Sequence, residues 1–556
     1  MASVAKNTTQ VDRRAIINLM LSAFCCTSVE GSSPKISFAL SIIDSGVGIN
    51  AISIKTTSPT PKNLKSVVLA KPPLLLLFVS PMQTPNVVKN GIVKQVKLFV
   101  YINLLVSYLV LHLLRLTFKY KMNWIYQLIG PCLLLSLISA NGLKKQEYQY
   151  SRVMKIPDLS FFPNVYTGLD VLEQMDYTPI ISKKIGILTN HTSVNRNGEH
   201  ILDMLKNQKK IKVHVLFEPE YGIWGIEDVR SKLIGRDRID PLHGAKIINI
   251  FDGMVYPPKW AMSELDLIII DLQDTGVRYT TYIASVTKLF EAASDWSIPV
   301  IVLDRPNPIR GDLLDGPIPR TEFQSMEGYH LLPIRHGLTL GEACILINEM
   351  GWVNDSKFVD LTIIPIANWK RDIWFDETNL PWMNPAPSIK NLETLLAYTG
   401  MDLFRGTNLN IGFGTDYPYL FVGAPWLVTN FFLDKLIDQN LPGVTFEELT
   451  IRPRGSIYYN RVPKYDGKPC SGVKISITDK DEFDPIRTAT TIMALIHHLH
   501  PREFFWVGDN YIDKLFGTSL LKTTIAQKKS PDTLPPQWSH DIYLFNQFRK
   551  PYLIYP

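Results

Sequence analysis

Residues 265–282 constrain the fold of this chain more than any other stretch. They contain Leu267-Ile268-Ile269-Ile270, an apolar run too short for a helix and rich in β-branched residues. Such a run reads as a buried strand. Polarity then changes abruptly, with Asp271, Gln273, Asp274 and Arg278 arriving around the turn residue Gly276. Two carboxylates, an amide and a guanidinium at one strand end are costly to crowd together unless they bind something or pair with one another. The sequence leaves both readings open: a ligand-binding strand end, or a turn held by a structural Asp–Arg pair.

The pattern recurs along the chain. Short apolar strands are expected at residues 185–189, 213–217, 246–251 and 299–303, with helices over 198–206 and 281–294. This alternation predicts a mostly parallel sheet with helices on both faces. Ligands bind beyond the carboxyl ends of the strands in such sheets. Polar residues collect at those ends: Asn190, Glu218, Glu220, Asp271, Gln273, Asp274, Arg278, Asp304, Arg305 and Asn307, with Asp252 closing the third strand. No Gly-x-Gly-x-x-Gly follows the first strand, which disfavours nucleotide chemistry. After a helix at 341–350 the alternation lapses. A strand at 361–366, a loop-rich stretch at 398–426, a helix at 431–437, a strand at 473–477 and a helix at 485–499 predict a second unit. The fold class expected is α/β: a Rossmann-like, mostly parallel domain over 150–358 and a smaller α/β domain over 360–556. The site should lie in the cleft between them.

Residues 1–121 differ from the rest. They carry 14 Lys/Arg against 3 Asp/Glu, whereas the remainder carries 44 against 49. The formal charge of +6 therefore hides a mildly acidic body, which argues against a nucleic-acid partner. Residues 98–114 are mostly apolar but short for a membrane span. Lys119 and Lys121 then give a basic start to residues 122–142, which add a short apolar core and a small-residue end, the plan of a secretory signal peptide. The expectation is an upstream extension over 1–121, a signal over 122–142 and a secreted body. The alternative is a membrane anchor formed through residues 98–140. Of five cysteines only Cys344 and Cys470 fall in the body, and no Cys/His pair has zinc spacing, so no metal or cofactor is expected. His497, His498 and His500 read as a surface cluster. Sequons stand at Asn190 and Asn354, the latter better placed for glycosylation because Asn190 closes a strand.

An ordered set of motifs carries a resemblance: Leu188-Thr189-Asn190, Phe217-Glu218-Pro219-Glu220-Tyr221-Gly222, the stretch 271–282, Gly316-Pro317, His336-Gly337-Leu338-Thr339-Leu340-Gly341-Glu342, Gly406-Thr407-Asn408 and Gly423-Ala424-Pro425. Together they resemble the exo-β-N-acetylmuramidase family, long known as a domain of unknown function, from about residue 150 to the end. The resemblance implies a Rossmann-like domain, a smaller C-terminal domain, no metal or nucleotide, and release of N-acetylmuramic acid from non-reducing ends of peptidoglycan glycans. It makes Glu220 the catalytic glutamate. The chain departs from the family pattern at Tyr221 (family His), Arg405 (family Glu), Phe413 (family Arg) and across 385–388.

Glycoside cleavage needs an acid for the leaving oxygen and a second group at the oxocarbenium-like carbon. Glu220 is the candidate acid, with Asp271 and Asp274 candidates for the second role. The substrate's own acetamide is a further route. Arg278 and Arg305 are candidates to grip the lactyl carboxylate of muramic acid. Asn190, Gln273, Asn307, Asn408 and His336 are candidate sugar-binding residues, each with a loop-stabilising alternative. Trp369, Trp374 and Trp382 are assigned to the core. Three functional readings follow: a secreted glycosidase, a sugar-binding relative that has lost catalysis, and another sugar-processing enzyme on the same fold. If residues 122–142 are a cleaved signal, mass spectrometry of the secreted product will find a start near Asn141 or Leu143 and no peptide from before Met122. Upstream peptides in a membrane-bound product would overturn this.

Overall fold

The computed structural model describes residues 150–556, except 162, 226–237, 252–255, 354–355 and 456–461. The expectations for residues 1–142, for Asp252 and for glycosylation at Asn354 lie outside the described residues. Seven strands form one parallel sheet: β1 (Ser151–Val153), β2 (Lys184–Thr189), β3 (Lys212–Glu218), β4 (Lys246–Asn249), β5 (Leu267–Asp271), β6 (Val300–Leu303) and β7 (Leu361–Ile364). Their order is β1-β7-β6-β5-β2-β3-β4. The chain runs outward from β2 through β3 to β4, then returns to β5 and runs the other way. Strands β2 and β5 therefore flank the switch point, with Thr189 opposite Asp271.

Side-chain alternation along β5 sorts the core onto two faces. Ile268 and Ile270 pack with helices α4 (Tyr282–Trp296) and α5 (Leu340–Glu349). Leu267 and Ile269 pack on the other side with α1 (Gly168–Gln174) and α2 (Ile201–Lys206), while the short α3 (Lys259–Met262) joins the first face. All five β5 residues are buried, as a central parallel strand requires. Helix α5 starts at a capping box in which Thr339 and Glu342 satisfy each other's backbone N–H groups.

The second part has a three-stranded antiparallel sheet, β8 (Phe421–Ala424), β9 (Val444–Ile451) and β10 (Cys470–Ile477), in the order β8-β10-β9. Helices α6 (Leu392–Met401), α7 (Thr429–Ile437) and α8 (Pro485–Leu499) pack on it, followed by α9 (Tyr511–Phe516), α10 (Leu520–Ala526) and α11 (Pro535–Arg549). Helices α6 and α8 touch at Gly400, where a Cβ would stand 1.9 Å from the carbonyl oxygen of Pro485. Val277, Tyr279, Ile309 and Ile334, from loops of the first part, join this core directly.

Several boundaries move. Helix α2 begins at Ile201 rather than 198, because His200 caps it through Nδ1. Strand β7, assigned from sequence to the second unit, pairs with β6 and β1 in the large sheet. A four-residue apolar strand carries no mark of which sheet it joins. The stretch 398–426 is less loop-like than its composition predicts, since it holds the end of α6, a 3-10 turn over Asp402–Gly406 and β8. Cys344 and Cys470 are both buried and free.

From the end of α11 the chain returns to the first part. Phe545 of that helix and Tyr552 beyond it join the core with α4 and α5. The Tyr555 hydroxyl donates to Asp304 Oδ2 at 2.5 Å, and Ile554 N–H donates to Glu342 at 2.9 Å. Asp304 sits at the end of β6, fully buried, and also accepts from Thr339 Oγ1 and Gly341 N–H, both at 2.7 Å. Burial outweighs these bonds and pushes its pKa up from 3.8 to about 6. The folded carboxyl thus holds its proton more tightly than the unfolded one. Its contribution to stability is complete below about 3.8 and is lost as pH rises through about 6. Melting temperatures recorded between pH 4 and pH 7 should show this loss in the wild-type chain, and Asp304→Asn should flatten the slope in that window.

Candidate functional site

A cleft of about 870 Å³ opens where the carboxyl ends of the sheet meet the second part. That volume is typical of small-molecule sites. One wall is built from Glu220 and Tyr221, after β3, and from Thr280, Thr281 and Tyr282 at the start of α4. The rest of the lining comes from residues 385–390, Tyr398, Asp402, Arg405, Phe413, Tyr419 and Lys464, with Glu327 and Tyr511. The aromatic rings form a connected surface. Tyr398 meets Tyr279 and Tyr419 edge-on at 6.0 and 5.1 Å, and Phe413 meets Tyr419 at 5.2 Å. Such rings offer flat apolar faces and hydroxyl tips, which suits a sugar.

The motif at 217–222 places its two carboxylates in different environments. Glu218 is fully buried at the end of β3, where Arg238 donates to both its oxygens at 2.8 and 3.1 Å and Ile223 N–H adds a third bond. Glu220, beyond the strand, faces the cleft and accepts from Thr281 Oγ1 at 2.8 Å. Thr281 precedes α4 yet does not cap it, because its hydroxyl is turned to Glu220. Tyr221 follows with φ +71°, an uncommon and strained conformation for a bulky residue, and Gly222 continues at +69°. This pair of left-handed residues turns the chain sharply as it passes the cleft.

The other residues singled out from sequence gather behind this wall. Asp271 and Arg305 form a buried bidentate pair, Nε–Oδ1 2.5 Å and Nη2–Oδ2 2.9 Å, tying the ends of β5 and β6 together. Asn190 donates to the Tyr282 hydroxyl at 3.0 Å and accepts from Thr192, so its amide is committed and buried. Gln273 donates to the carbonyls of Asp274 and Pro306. Asp274 accepts from Gly276 N–H, with His336 Nε2 3.4 Å away. Asn307 spans to the carbonyl of Leu338 and the N–H of Ile309. Asn408 does the same between Glu503 and Phe505 in the second part. None of these residues lines the cleft. Gln273 and Arg305 border a separate crevice of about 10 Å³, room for about one water.

Arg278 is also placed away from the cleft. Its guanidinium is buried and donates to the carbonyls of Pro317 (2.6 Å), Leu332 (3.0 Å) and Leu515 (2.6 Å). Burial without an acidic partner lowers its pKa to about 10. The expectation that Arg278 or Arg305 faces a ligand is therefore corrected: one fastens α9 to the first part, the other neutralises Asp271. The sequence reading missed Thr281, Glu327 and Asp402 as cleft residues. A signal existed for Thr281, which opens an amphipathic helix directly after a polar strand end. None existed for Glu327 and Asp402, which tertiary packing alone carries to the cleft.

Arg278→Ala would strand three buried carbonyls and detach α9. Denaturant titration should show a loss of about 3 kcal/mol or more, with no change in the preference between muramic acid and N-acetylglucosamine ligands.

Comparison with known proteins bears on the fold and the family. Residues 185–393 match the model of the exo-β-N-acetylmuramidase NamZ N-terminal domain, and residues 396–555 match that of its C-terminal domain. The chain is 32% identical over 393 residues to the peptidoglycan β-N-acetylmuramidase NamZ of Bacillus subtilis strain 168, covering 71% of this chain and 92% of that protein. Two crystal structures of DUF1343 family proteins from Bacteroides fragilis NCTC 9343 share the fold. One has a TM-score of 0.63 at 23% identity, with 71% of this chain and 99% of that chain covered. The other has a TM-score of 0.57 at 28% identity, with 70% and 99% covered. Matched over both of its parts, the chain belongs to the exo-β-N-acetylmuramidase family.

Proposed function

We propose that the chain is a glycoside hydrolase acting on peptidoglycan fragments, releasing N-acetylmuramic acid from their non-reducing ends, with Glu220 as proton donor. The observation that carries this reading is the position of Glu220 on the cleft wall beyond β3, with Thr281 Oγ1 donating to it. Family membership and the named activity of the Bacillus relative support the substrate class. The Thr281 hydroxyl orients the Glu220 carboxyl on the cleft wall, where it would deliver the proton to the leaving oxygen.

The second role does not suit Asp271 or Asp274. The first is locked to Arg305, and neither lines the cleft. The acetamide of an N-acetyl sugar supplies an internal nucleophile instead, a recognised variant of this chemistry. The aromatic surface around Tyr398 takes the sugar faces. Export directed by residues 122–142 would bring the enzyme to its substrate.

A second reading, a sugar-binding relative without catalysis, draws on Tyr221, which stands beside Glu220 where the family pattern has histidine. One assay separates the two. The wild-type chain should release N-acetylmuramic acid from a chromogenic muramide. Glu220→Gln should lower turnover about a hundredfold or more, the scale of lost general acid catalysis, with sugar affinity kept and with smaller losses for leaving groups that need no proton. A wild-type chain that binds the sugar but cleaves nothing would favour the binding protein.

A further inference from the structure

A muramic acid residue differs from N-acetylglucosamine by a lactyl ether ending in a carboxylate. With Arg278 and Arg305 committed elsewhere, the cation that reads this group must come from the cleft itself. Among the described residues the cations lining it are Lys390, Arg405, Arg454 and Lys464. Lys464 donates to the carbonyls of Phe404, Arg405 and Thr407, which together use its three N–H groups. Lys390 is 3.8 Å from Asp416, and both are solvent-exposed, so that charge is screened and loosely placed. Arg454 is exposed at the rim.

Arg405 is different. It sits on the 3-10 turn over Asp402–Gly406, where an i,i+3 spacing brings it against Asp402, Nη1–Oδ2 3.1 Å. Its Nη2 reaches Glu327 of the first part at 3.4 Å, and Tyr511 supports it, with the guanidinium carbon 5.5 Å from the ring centroid. Tyr511 in turn donates to the same Glu327 oxygen at 3.2 Å. Two carboxylates and a ring thus fix the guanidinium in place, while 24% of the side chain stays exposed to the cleft. These contacts leave donors of the planar fork unspent. Arg405 and the neighbouring Lys464 together balance Asp402 and Glu327, so a ligand carboxylate would meet a neutral cluster and depend on the unspent donors of the guanidinium.

We propose that Arg405 is the specificity-determining residue of this cleft, binding the lactyl carboxylate of muramic acid; this rests on the muramidase reading above. An arginine held ready by carboxylates loses little freedom when a ligand carboxylate docks on it, which favours selectivity over a mobile rim lysine.

The test is a calorimetric titration of the full-length chain with N-acetylmuramic acid and with its lactyl methyl ester, which keeps the shape and removes the charge. The wild-type chain should bind the acid at least about thirtyfold more tightly, the scale of a truncated charge-assisted pair. Arg405→Gln should collapse that ratio toward one, and Arg405→Lys should restore part of it. Equal wild-type affinity for acid and ester overturns the proposal without any variant. So does a ratio that survives Arg405→Gln but disappears in Arg454→Gln or Lys390→Gln. Hydrolysis of the chromogenic muramide reports separately on the enzymatic reading, so a chain that discriminates acid from ester but cleaves nothing refutes that reading alone.

Discussion

A buried polar group must find a partner, and this requirement organises the centre of the molecule. The ends of β2, β5 and β6 bring Asn190, Asp271, Gln273 and Arg305 together out of water. The Asp271–Arg305 pair is the keystone. It is bidentate, and Arg305 also donates to the carbonyl of Val194, while Ser193 Oγ donates to the carbonyl of Asp271. Removing either partner would leave an uncompensated charge in a dry site, a far larger loss than the pair itself contributes. The switch point of the sheet is thereby made rigid, and the cleft wall is built on it.

That rigidity passes outward through short chains of hydrogen bonds. Asn190, at the end of β2, donates to the Tyr282 hydroxyl, and Tyr282 donates to the carbonyl of Pro385 at 2.5 Å. One end of this chain is the sheet and the other is a loop that lines the same cleft. Arg278 does similar work between the first part and α9, and the shared apolar core of Val277, Tyr279 and Ile334 with α6 and α8 excludes water between the two. Cleft residues drawn from both parts, Glu220 and Arg405 among them, are in this way held by one continuous packing arrangement rather than by two bodies in loose contact.

Local conformation also separates two carboxylates that look equivalent in sequence. Glu218 is the last residue of β3 and points into the protein, where Arg238 neutralises it. Two residues later the strand has ended, and left-handed residues Tyr221 and Gly222 turn the backbone. Glu220 is on the cleft side as a result. The difference between a carboxylate buried in the protein and one on the cleft wall is here one of strand length and turn geometry.

The sequence by itself determined the α/β class, most of the parallel strands and the long helices, because a buried strand such as 267–271 and an amphipathic helix such as 282–296 announce themselves through periodicity and length. It also singled out Glu220, which the fold places on the cleft wall. It did not determine which polar residues face solvent space. Asp271, Arg278, Arg305 and Asn408 are chemically suited to a ligand, yet their partners are 34, 237, 111 and 95 residues away in the chain, so nothing local revealed that each would be consumed internally. The same separation hid Glu327 and Asp402, and it hid the place of β7, a four-residue strand that fits either sheet until its neighbours are known. Periodicity is a property of adjacent residues and can be read along the chain. The pairing of buried charges and the lining of a cleft depend on contacts between distant segments, and only the folded structure decides them.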